Sequence, residues 1–496
     1  MRTSAGLALD FHEARSFSNV RSKPLCVDLD GTLVMTDTLW ETALTVGITG
    51  LVSAAIAQLR KPGRAALKRE IAIRADISPA AFPYNTDLIA YLTEAKRTGR
   101  TLVLVTAADE LIARAVASHL GLFDEVIASD GTRNLKGAEK ARELVRRFGS
   151  GGFDYVANGG ADIAVWDEAD NAILVNAPNW IARRLRSEGR TTVELSSQPP
   201  RLKALVRALR PHQWVKNLLV FVPLLASHDI GNLPGLLGAL LVFAALCATA
   251  SAIYLVNDIV DLNADRKHPR KSRRPFASGS LPLAYGFAFA ALLFTVGFTV
   301  AAFANSLLVV GAYAAMSMGY SFYFKRYPLL DVFVLAALYT LRILAGGIAS
   351  DHPVSLWLLA FSGYTFLSLA LVKRCAEVSN ERPADQLHQK VARRGYYQAD
   401  RALLVMFGIG ATFASSVVLA LFIGSTGALE RYGSPQLLWI LVPLILLWQC
   451  RLWLATERGH MHDDPIIYSS RDWVSWFVAA TSAVTVVTAS VIRLPL

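Results

Sequence analysis

The sequence predicts two folds in one chain: an α/β fold built on a parallel sheet, then an all-α integral membrane domain of about nine transmembrane helices. Three observations carry this. Up to residue 195, short β-rich runs alternate with amphipathic stretches, the pattern of strands linked by crossover helices. From about residue 214, long apolar runs recur. Composition agrees with both halves: 53% apolar residues and a mean hydropathy of +0.37 are too high for a wholly water-soluble protein, while 18% charged residues require a water-facing part.

In chain order, "PLCVDLDGTLV", "TLVLVTAAD", "EVIAS", "FDYVANG" and "AILVNA" read as strands, each followed by a helix-like stretch, within a first domain of 1–195. "ELSSQPPRLKALVRALRPHQW" then changes register. Its Ser, Gln and Pro punctuate the chain, and the basic stretch after them predicts an interfacial linker over 196–212. Candidate spans in the domain 213–496 lie at roughly 214–228, 235–256, 283–303, 306–323, 329–349, 354–372, 402–424, 436–455 and 473–492. A spanning helix needs at least ~17 apolar residues. The first run is short and carries Lys216 and Asn217. Lys and Arg concentrate in the loops 257–282, 324–328, 373–401 and 451–472; loops 229–234, 304–305 and 350–353 carry none, and 425–435 carries Arg431 alone. By the positive-inside rule the N-terminal domain and the basic loops are cytoplasmic and the C-terminus is outside.

A chain of 496 residues exceeds one ordinary domain. Its net charge of +11 suits loops that meet anionic lipid or hold anionic substrates. Nucleic acid, the other usual partner of a basic chain, is not indicated: there is no zinc-finger or helix-turn-helix pattern, and the cations sit in membrane loops. Cys26, Cys247, Cys375 and Cys450 form no CxxC pair and read as small buried hydrophobes, without disulfides or zinc. The opening "MRTSAGLALDFHEARSF" is too short and too polar for a signal peptide, which keeps the first domain in the cytoplasm.

"VDLDGTL" sets Asp28 and Asp30 at the end of a strand, with Gly31 allowing a tight turn. Two carboxylates two apart in a loop can divide labour: one attacks a phosphoryl group and the other moves the proton, while Mg²⁺ neutralises charge. Further along come Thr106 at a strand end in "LVLVTAAD", Lys136 entering a helix in "NLKGAEKAREL", and Asp162 in the loop of "YVANGGADIAVWDEA". Over about 24–190 these motifs resemble the haloacid dehalogenase (HAD) phosphatase superfamily. The resemblance implies Asp28 as nucleophile, Asp30 as general acid/base, Thr106 and Lys136 as phosphate ligands, Asp162 at Mg²⁺, and a small helical cap at about 36–95. One position departs: Asn158 stands where an acidic Mg²⁺ ligand is expected. An amide offers Mg²⁺ an oxygen but no charge, so metal affinity should fall. An active phosphatase and a degenerate binding or scaffolding domain both stay open.

In "NDIVDLNAD", Asn257, Asp261 and Asp265 are spaced i, i+4, i+8, and on a helix they share one face beside Asp258. Such a face can hold Mg²⁺, which is typically bound by one or two carboxylates plus substrate phosphates. Two plainer readings compete: the acids mark the helix's exit into water, or they pair with the cations that follow. Those cations run from Arg266 to Arg274; among them Arg274, before Pro275, and Lys271 are the phosphate-ligand candidates. The order "NDxxDxxxD" then "RPxxSG" resembles the UbiA superfamily of intramembrane transferases. The closer resemblance is to its branch that transfers phosphoribose from phosphoribosyl pyrophosphate (PRPP) to a polyprenyl phosphate. It is carried by "RPHQWVKN", "NDIVDLNADRKHPRKSRRPFASG", "YSFYFKRYPLLDV", "LRILAGG", and "KRCAE" with "RRGYY".

Aromatic prenyltransferases of this superfamily usually carry a second DxxxD for prenyl diphosphate. Here Asp331 is followed four residues on by Leu335, and the second acid is missing. The family resemblance adds Lys216 and Asn217 to the site, and Tyr320 and Tyr323 read either as site residues or as membrane-belt aromatics; Lys325, Arg342, Lys373 and Arg374 lie near the inner face, each readable also as a positive-inside residue. That set suits a hydrophilic, multiply phosphorylated donor. The resemblance implies a Mg²⁺-dependent transfer assisted by Asp261, with the phosphatase-like half removing the 5-phosphate. An aromatic prenyltransferase and a membrane transporter are the alternatives.

Overall fold

The computed structural model describes residues 23–60, 63–76, 78–190, 192–195, 201–229, 231–380, 395–461 and 464–493. The N-terminal stretch, the start of the linker (196–200) and the arginines of "RRGYY" lie outside the described residues. The chain forms two compact units. One takes the chain up to Leu205 together with Asp258–Gly286; the other comprises Val206–Asn257 and Phe287–Leu496.

The first unit is built on a six-stranded parallel sheet: β1 (Leu25–Val27), β2 (Leu102–Asp109), β3 (Glu125–Ser129), β4 (Asp154–Ala157), β5 (Ala172–Val175) and β6 (Thr192–Leu195). Five of these are the strands read from sequence; β6, "TVEL", is too short and too polar to stand out. The spatial order is β3-β2-β1-β4-β5-β6. Both faces are covered, which is why these strands read as nearly continuous apolar runs. Alternation divides each strand between two cores: Cys26, Val103 and Tyr155 on one side, Leu25, Val27, Leu104 and Val156 on the other. Two cap helices follow β1: α1 (Thr38–Arg60), broken at Gly47 where φ is 69°, and α2 (Arg64–Arg74). Helix α3 (Ala138–Phe148) precedes β4.

The order reverses at β1, which has β2 on one side and β4 on the other. In open parallel sheets a crevice for ligands opens beyond the carboxyl ends of the strands at such a point. Asp28 leaves β1 there and Asn158 leaves β4.

The membrane half is helical. Helices after residue 230 include α4 (Leu233–Val260), the short α5 (Leu262–Arg266) that belongs to the first unit, α6 (Leu283–Phe303), α7 (Leu307–Phe322), α8 (Leu330–Ala349), α9 (Leu356–Asn380), α10 (Arg401–Ile423), α11 (Leu441–Glu457), the short α12 (Pro465–Arg471) and α13 (Trp473–Val491). Helical structure falls on all nine predicted stretches, but among the described residues seven helices are long and apolar enough to cross a membrane. The count of nine is therefore not confirmed. The stretch 306–323 forms the shorter helix α7, and 214–228 forms a 3₁₀ helix (Pro211–Phe221) running into one short α-helical segment (Val222–Ala226). Lys216 and Asn217 sit on that 3₁₀ segment, both buried.

The core of the second unit is interhelical. Val332, Ala336, Tyr339 and Ile343 of α8 pack with Phe366, Leu369 and Val372 of α9, and Val242, Leu246 and Ile253 of α4 pack with Leu338 and Ala345.

Candidate active sites

At the crevice of the first unit lies a cavity of about 680 Å³, lined by Asp28, Asp30, Lys136, Asn158, Asp162 and the cap residues Thr38, Trp40, Arg64 and Lys68. Gly31 turns the chain beneath it at φ +75°, and a Cβ there would stand 2.2 Å from the Asn158 amide nitrogen, so only glycine fits the turn. Asp28 accepts a hydrogen bond from the Thr32 hydroxyl (3.2 Å). Asp30 accepts one from the Thr38 backbone N–H at the start of α1 (2.8 Å).

The central cation is Lys140, which the motif reading passed over in favour of Lys136. Only 3% exposed, its Nζ donates to Asp28 Oδ1 (2.7 Å), to the Tyr155 hydroxyl (2.8 Å) and to Asp162 Oδ1 (3.3 Å). An ammonium buried this deeply requires such partners. Lys136 precedes α3 and Lys140 lies in its first turn, and the signal available in the sequence was this second lysine in the same motif. Lys136 lines the cavity. Thr106 does not: fully buried behind Ala107 and Ala108, its hydroxyl accepts the Ala108 N–H (2.9 Å) and shapes the strand end.

Burial pushes Asp28 up to about 6, with Lys140 opposing and Asp162 reinforcing the shift. Burial, then the charges of Asp37 and Asp28, pushes Asp30 up to about 7. A carboxyl that holds its proton near neutral pH can deliver it to a leaving group.

Asp258–Gly286 carries the carboxylate comb. The single face expected for Asn257, Asp261 and Asp265 does not form, because α4 ends at Val260 and Asp261 caps the short α5. The pair brought together is Asp258 and Asp265, each 2% exposed. Arg274 Nη1 stands between them, 3.1 Å from Asp258 Oδ1 and 2.6 Å from Asp265 Oδ2. Asn257 and Asp261 are half-buried and Lys271 is exposed. Among the described residues no three His, Cys, Asp or Glu side chains gather to hold a metal. Two carboxylates converging on one cation fit a divalent ion completed by substrate oxygens.

The second unit inverts this arrangement. Asp464, at the N-terminus of α12 and absent from the sequence reading, accepts from Lys216 (2.7 Å) and Lys373 (3.1 Å) on the same oxygen, with the Tyr339 hydroxyl 3.4 Å away. Burial alone would raise the Asp464 carboxyl, but the two lysines pull it below the ordinary carboxylate range. Beside them Arg342 donates to Asn217 Oδ1 (2.9 Å) and the Tyr313 hydroxyl (3.0 Å) and lies over the Tyr313 ring.

Asp331 and Arg374 are not part of this cluster. Both are fully buried and form an ion pair at 2.6 Å, supported by Tyr396 on Asp331 and by Glu377 and the Tyr320 hydroxyl on Arg374. Arg374, expected at a phosphate, is instead engaged here by two carboxylates, Asp331 and Glu377. Lys325 is half-buried in a turn, and Tyr323 is exposed against Tyr327.

The profile of the UbiA prenyltransferase family matches residues 218–468. An uncharacterized protein of Sinorhizobium fredii is 35% identical over 471 residues, covering 93% of this chain and 90% of its own length. The decaprenyl-phosphate phosphoribosyltransferase of Corynebacterium glutamicum is 40% identical over 205 residues, 39% of this chain and 62% of that enzyme. For the first unit, an apo phosphoserine phosphatase structure aligns over 35% of this chain and 94% of its own at 18% identity, with a TM-score of 0.26.

Proposed function

This chain belongs to the UbiA prenyltransferase family, and from that premise we propose that it transfers 5-phosphoribose from PRPP to a polyprenyl phosphate. The observation that carries this reading is the Lys216–Asp464–Lys373 cluster, in which Lys216 and Asp464 are buried and Lys373 half-buried, with Arg342 beside it. Three cations against one carboxylate favour a donor rich in phosphate over a greasy prenyl diphosphate. The likeness to the phosphoribosyltransferase points the same way, as does Leu335 where a second acid would stand.

In this reading a phosphate oxygen of the lipid attacks C1 of the ribose. The C1–O bond to pyrophosphate breaks, and pyrophosphate leaves with the bonding pair. Asp258 and Asp265 would hold Mg²⁺, with Asp261 and Asn257 beside them; bound there, the ion supplies charge neutralisation to the departing diphosphate. Arg274 stabilises the same charge. The lysines and Arg342 have the chemistry to bind phosphate oxygens, and catalysis of this kind is chiefly positioning.

The immediate product retains a 5-phosphate, and the HAD-like half has the residues to remove it. Asp28 attacks phosphorus, and the ribose 5-oxygen leaves with the proton from Asp30. Asp30 then deprotonates the water that releases phosphate. Lys140 holds Asp28 ionised for attack; Asp162, with Asn158, would hold Mg²⁺ there. We place both sites on the cytoplasmic side of an inner membrane, following the distribution of Lys and Arg.

Purified protein incubated with labelled PRPP, polyprenyl phosphate and Mg²⁺ should move label into the lipid extract as dephosphorylated ribose lipid. Asp28→Asn should accumulate the 5-phosphate form. Transfer from prenyl diphosphate with no label from PRPP would establish the aromatic prenyltransferase alternative. Accumulation of only the 5-phosphate by both proteins would rule out the second step.

A further inference from the structure

The carboxylate loop is not held by its own short helix. Helix α5 spans five residues, Leu262–Arg266, too few to be stable alone. What fixes it is a side chain from the cap of the HAD-like half. Arg266 presents its guanidinium to Glu41 as a two-pronged fork: Nη1 to Oε2 at 3.0 Å and Nη2 to Oε1 at 2.6 Å. The side chains are 9% and 5% exposed. The third prong, Nε, donates to the Ala277 carbonyl (3.2 Å) in the segment after Arg274. Glu41 also lines a small pocket with Leu44, Ile259 and Leu262.

A second contact lies on the same border. Gly279 adopts φ +73°, and a Cβ there would stand 2.6 Å from Met35 Cβ and 3.0 Å from the Met35 carbonyl oxygen. The glycine lets the loop lie against the backbone just after the "VDLDGTL" turn. All of these residues belong to the first unit, so the carboxylate loop and the HAD-like half form one structural body.

We propose that Glu41 is a positioning residue for the transferase: it holds α5 in the register that keeps Asp265 beside Asp258, so that diphosphate binding depends on the N-terminal domain. The inference rests on the assignment of Asp258 and Asp265 to the Mg²⁺-diphosphate site made above. Asp265 immediately precedes Arg266. Without Glu41 a buried guanidinium has no anion, and the side chain must swing toward water. That motion turns α5 and carries Asp265 away from Arg274 and Asp258. Glu41 is well suited to the task, because it lies in the first turn of α1, where the helix dipole favours a carboxylate. The same turn donates the Thr38 N–H to Asp30, so the first turn of α1 contacts both Asp30 and Arg266.

The test uses the full-length protein in lipid nanodiscs and two readouts that need no turnover. One is calorimetric affinity for inorganic pyrophosphate with Mg²⁺; the other is amide hydrogen exchange over 258–279. Glu41→Ala should weaken Mg²⁺-pyrophosphate about tenfold, the scale of one lost ionic contact, and speed exchange in that loop while the β-sheet peptides stay protected. Glu41→Asp should recover part of both. The exchanged pair Glu41→Arg with Arg266→Glu should recover more than either single change. Glu70→Gln, elsewhere on the cap, should change neither.

Affinity within twofold of wild type in Glu41→Ala overturns the proposal, as does weaker binding with unaltered loop exchange. If wild type binds no Mg²⁺-pyrophosphate, the site assignment and the proposal fail together. If wild type binds it but transfers nothing from PRPP, the donor reading fails and the coupling stands.

Discussion

The two units solve one electrostatic problem in opposite ways. In the first, a cation stands between two buried carboxylates, and it does so twice: Lys140 between Asp28 and Asp162, and Arg274 between Asp258 and Asp265. In the second, a carboxylate stands between two lysines, Asp464 between Lys216 and Lys373. Each trio keeps an unbalanced charge, negative in the first unit and positive in the second. A buried excess of one sign is costly unless a ligand of the other sign arrives. The acid-rich trios suit a metal or a phosphorus centre, and the lysine-rich trio suits phosphate oxygens. The difference also separates two kinds of assembly. Asp28 and Lys140, 112 residues apart, come from a strand end and a helix of one α/β unit, whereas Lys216 and Asp464 are 248 residues apart in the chain.

The most damaging way to break this contrast is Asp464→Asn. It leaves Lys216 buried without an anion, and removing one member of a buried pair costs about 3–5 kcal/mol. The protein should lose much of its thermal stability in detergent, and transfer should fall by at least about a hundredfold, a factor that corresponds to roughly 2.7 kcal/mol. Adding Lys216→Met removes the stranded charge and should recover stability without recovering transfer. Recovery of both would make the cluster purely structural.

Next in size is Arg274→Ala. It leaves Asp258 and Asp265 facing each other with no guanidinium between them. The melting temperature should fall in a chelator and return on addition of Mg²⁺, because an ion can take the guanidinium's place. Wild type, which carries its own cation there, should respond less. A mutant that melts at the same temperature with and without Mg²⁺ would show that the pair holds no metal.

The contrast also explains what could be read from sequence. Strands, the Asp28–Asp30 turn and most helices were legible because each is encoded locally, by period, glycine and motif. Asp464 was not: it follows a basic loop in an otherwise ordinary polar stretch, and its role exists only once α12 meets the 3₁₀ segment carrying Lys216. Arg374 and Asp331 show the reverse. Their residue types suggested phosphate binding, yet burial made them partners, and no local pattern distinguishes these outcomes. The comb was misread by one turn. The i, i+4, i+8 rule assumes a continuous helix, and the break after Val260 replaces that face with the pair seven residues apart.

A smaller effect tests the proton assignment. Asp30 is raised from 3.8 to about 7 in the folded protein. A carboxyl with a raised pKa contributes stability that is complete below its unfolded value and lost as pH climbs through the folded one. In a chelator, the first unit should therefore become less heat-stable between about pH 4 and pH 7. Asp30→Asn removes the titration and should melt above wild type at pH 8, by about 2–4 °C per kcal/mol recovered for a domain of this size. It should also abolish phosphate release. Equal melting temperatures at pH 8 would mean that Asp30 is solvated and its proton ordinary.

The finest distinction rests on Asn158. Its amide nitrogen closes over Gly31 in the Asp28–Asp30 turn, and it lines the cavity with Asp162, but it adds no charge. Asn158→Asp would add a third carboxylate to the pair, Asp28 and Asp162, that Lys140 balances. Without metal, the extra carboxylate repels Asp28 and should lower the melting temperature at pH 8. With Mg²⁺ the sign reverses: the new oxygen anion should tighten the ion about tenfold, roughly 1.4 kcal/mol. A Mg²⁺ titration of the melting temperature at fixed pH reads both effects in one series, as a lower start and a lower half-saturation point. If only the first change occurs, position 158 lies outside the metal's reach, and the asparagine marks a site that holds phosphate without Mg²⁺. If both occur, the asparagine is what weakens metal binding in the natural chain, and phosphate release should then be limited by free Mg²⁺ in wild type and much less so in the variant.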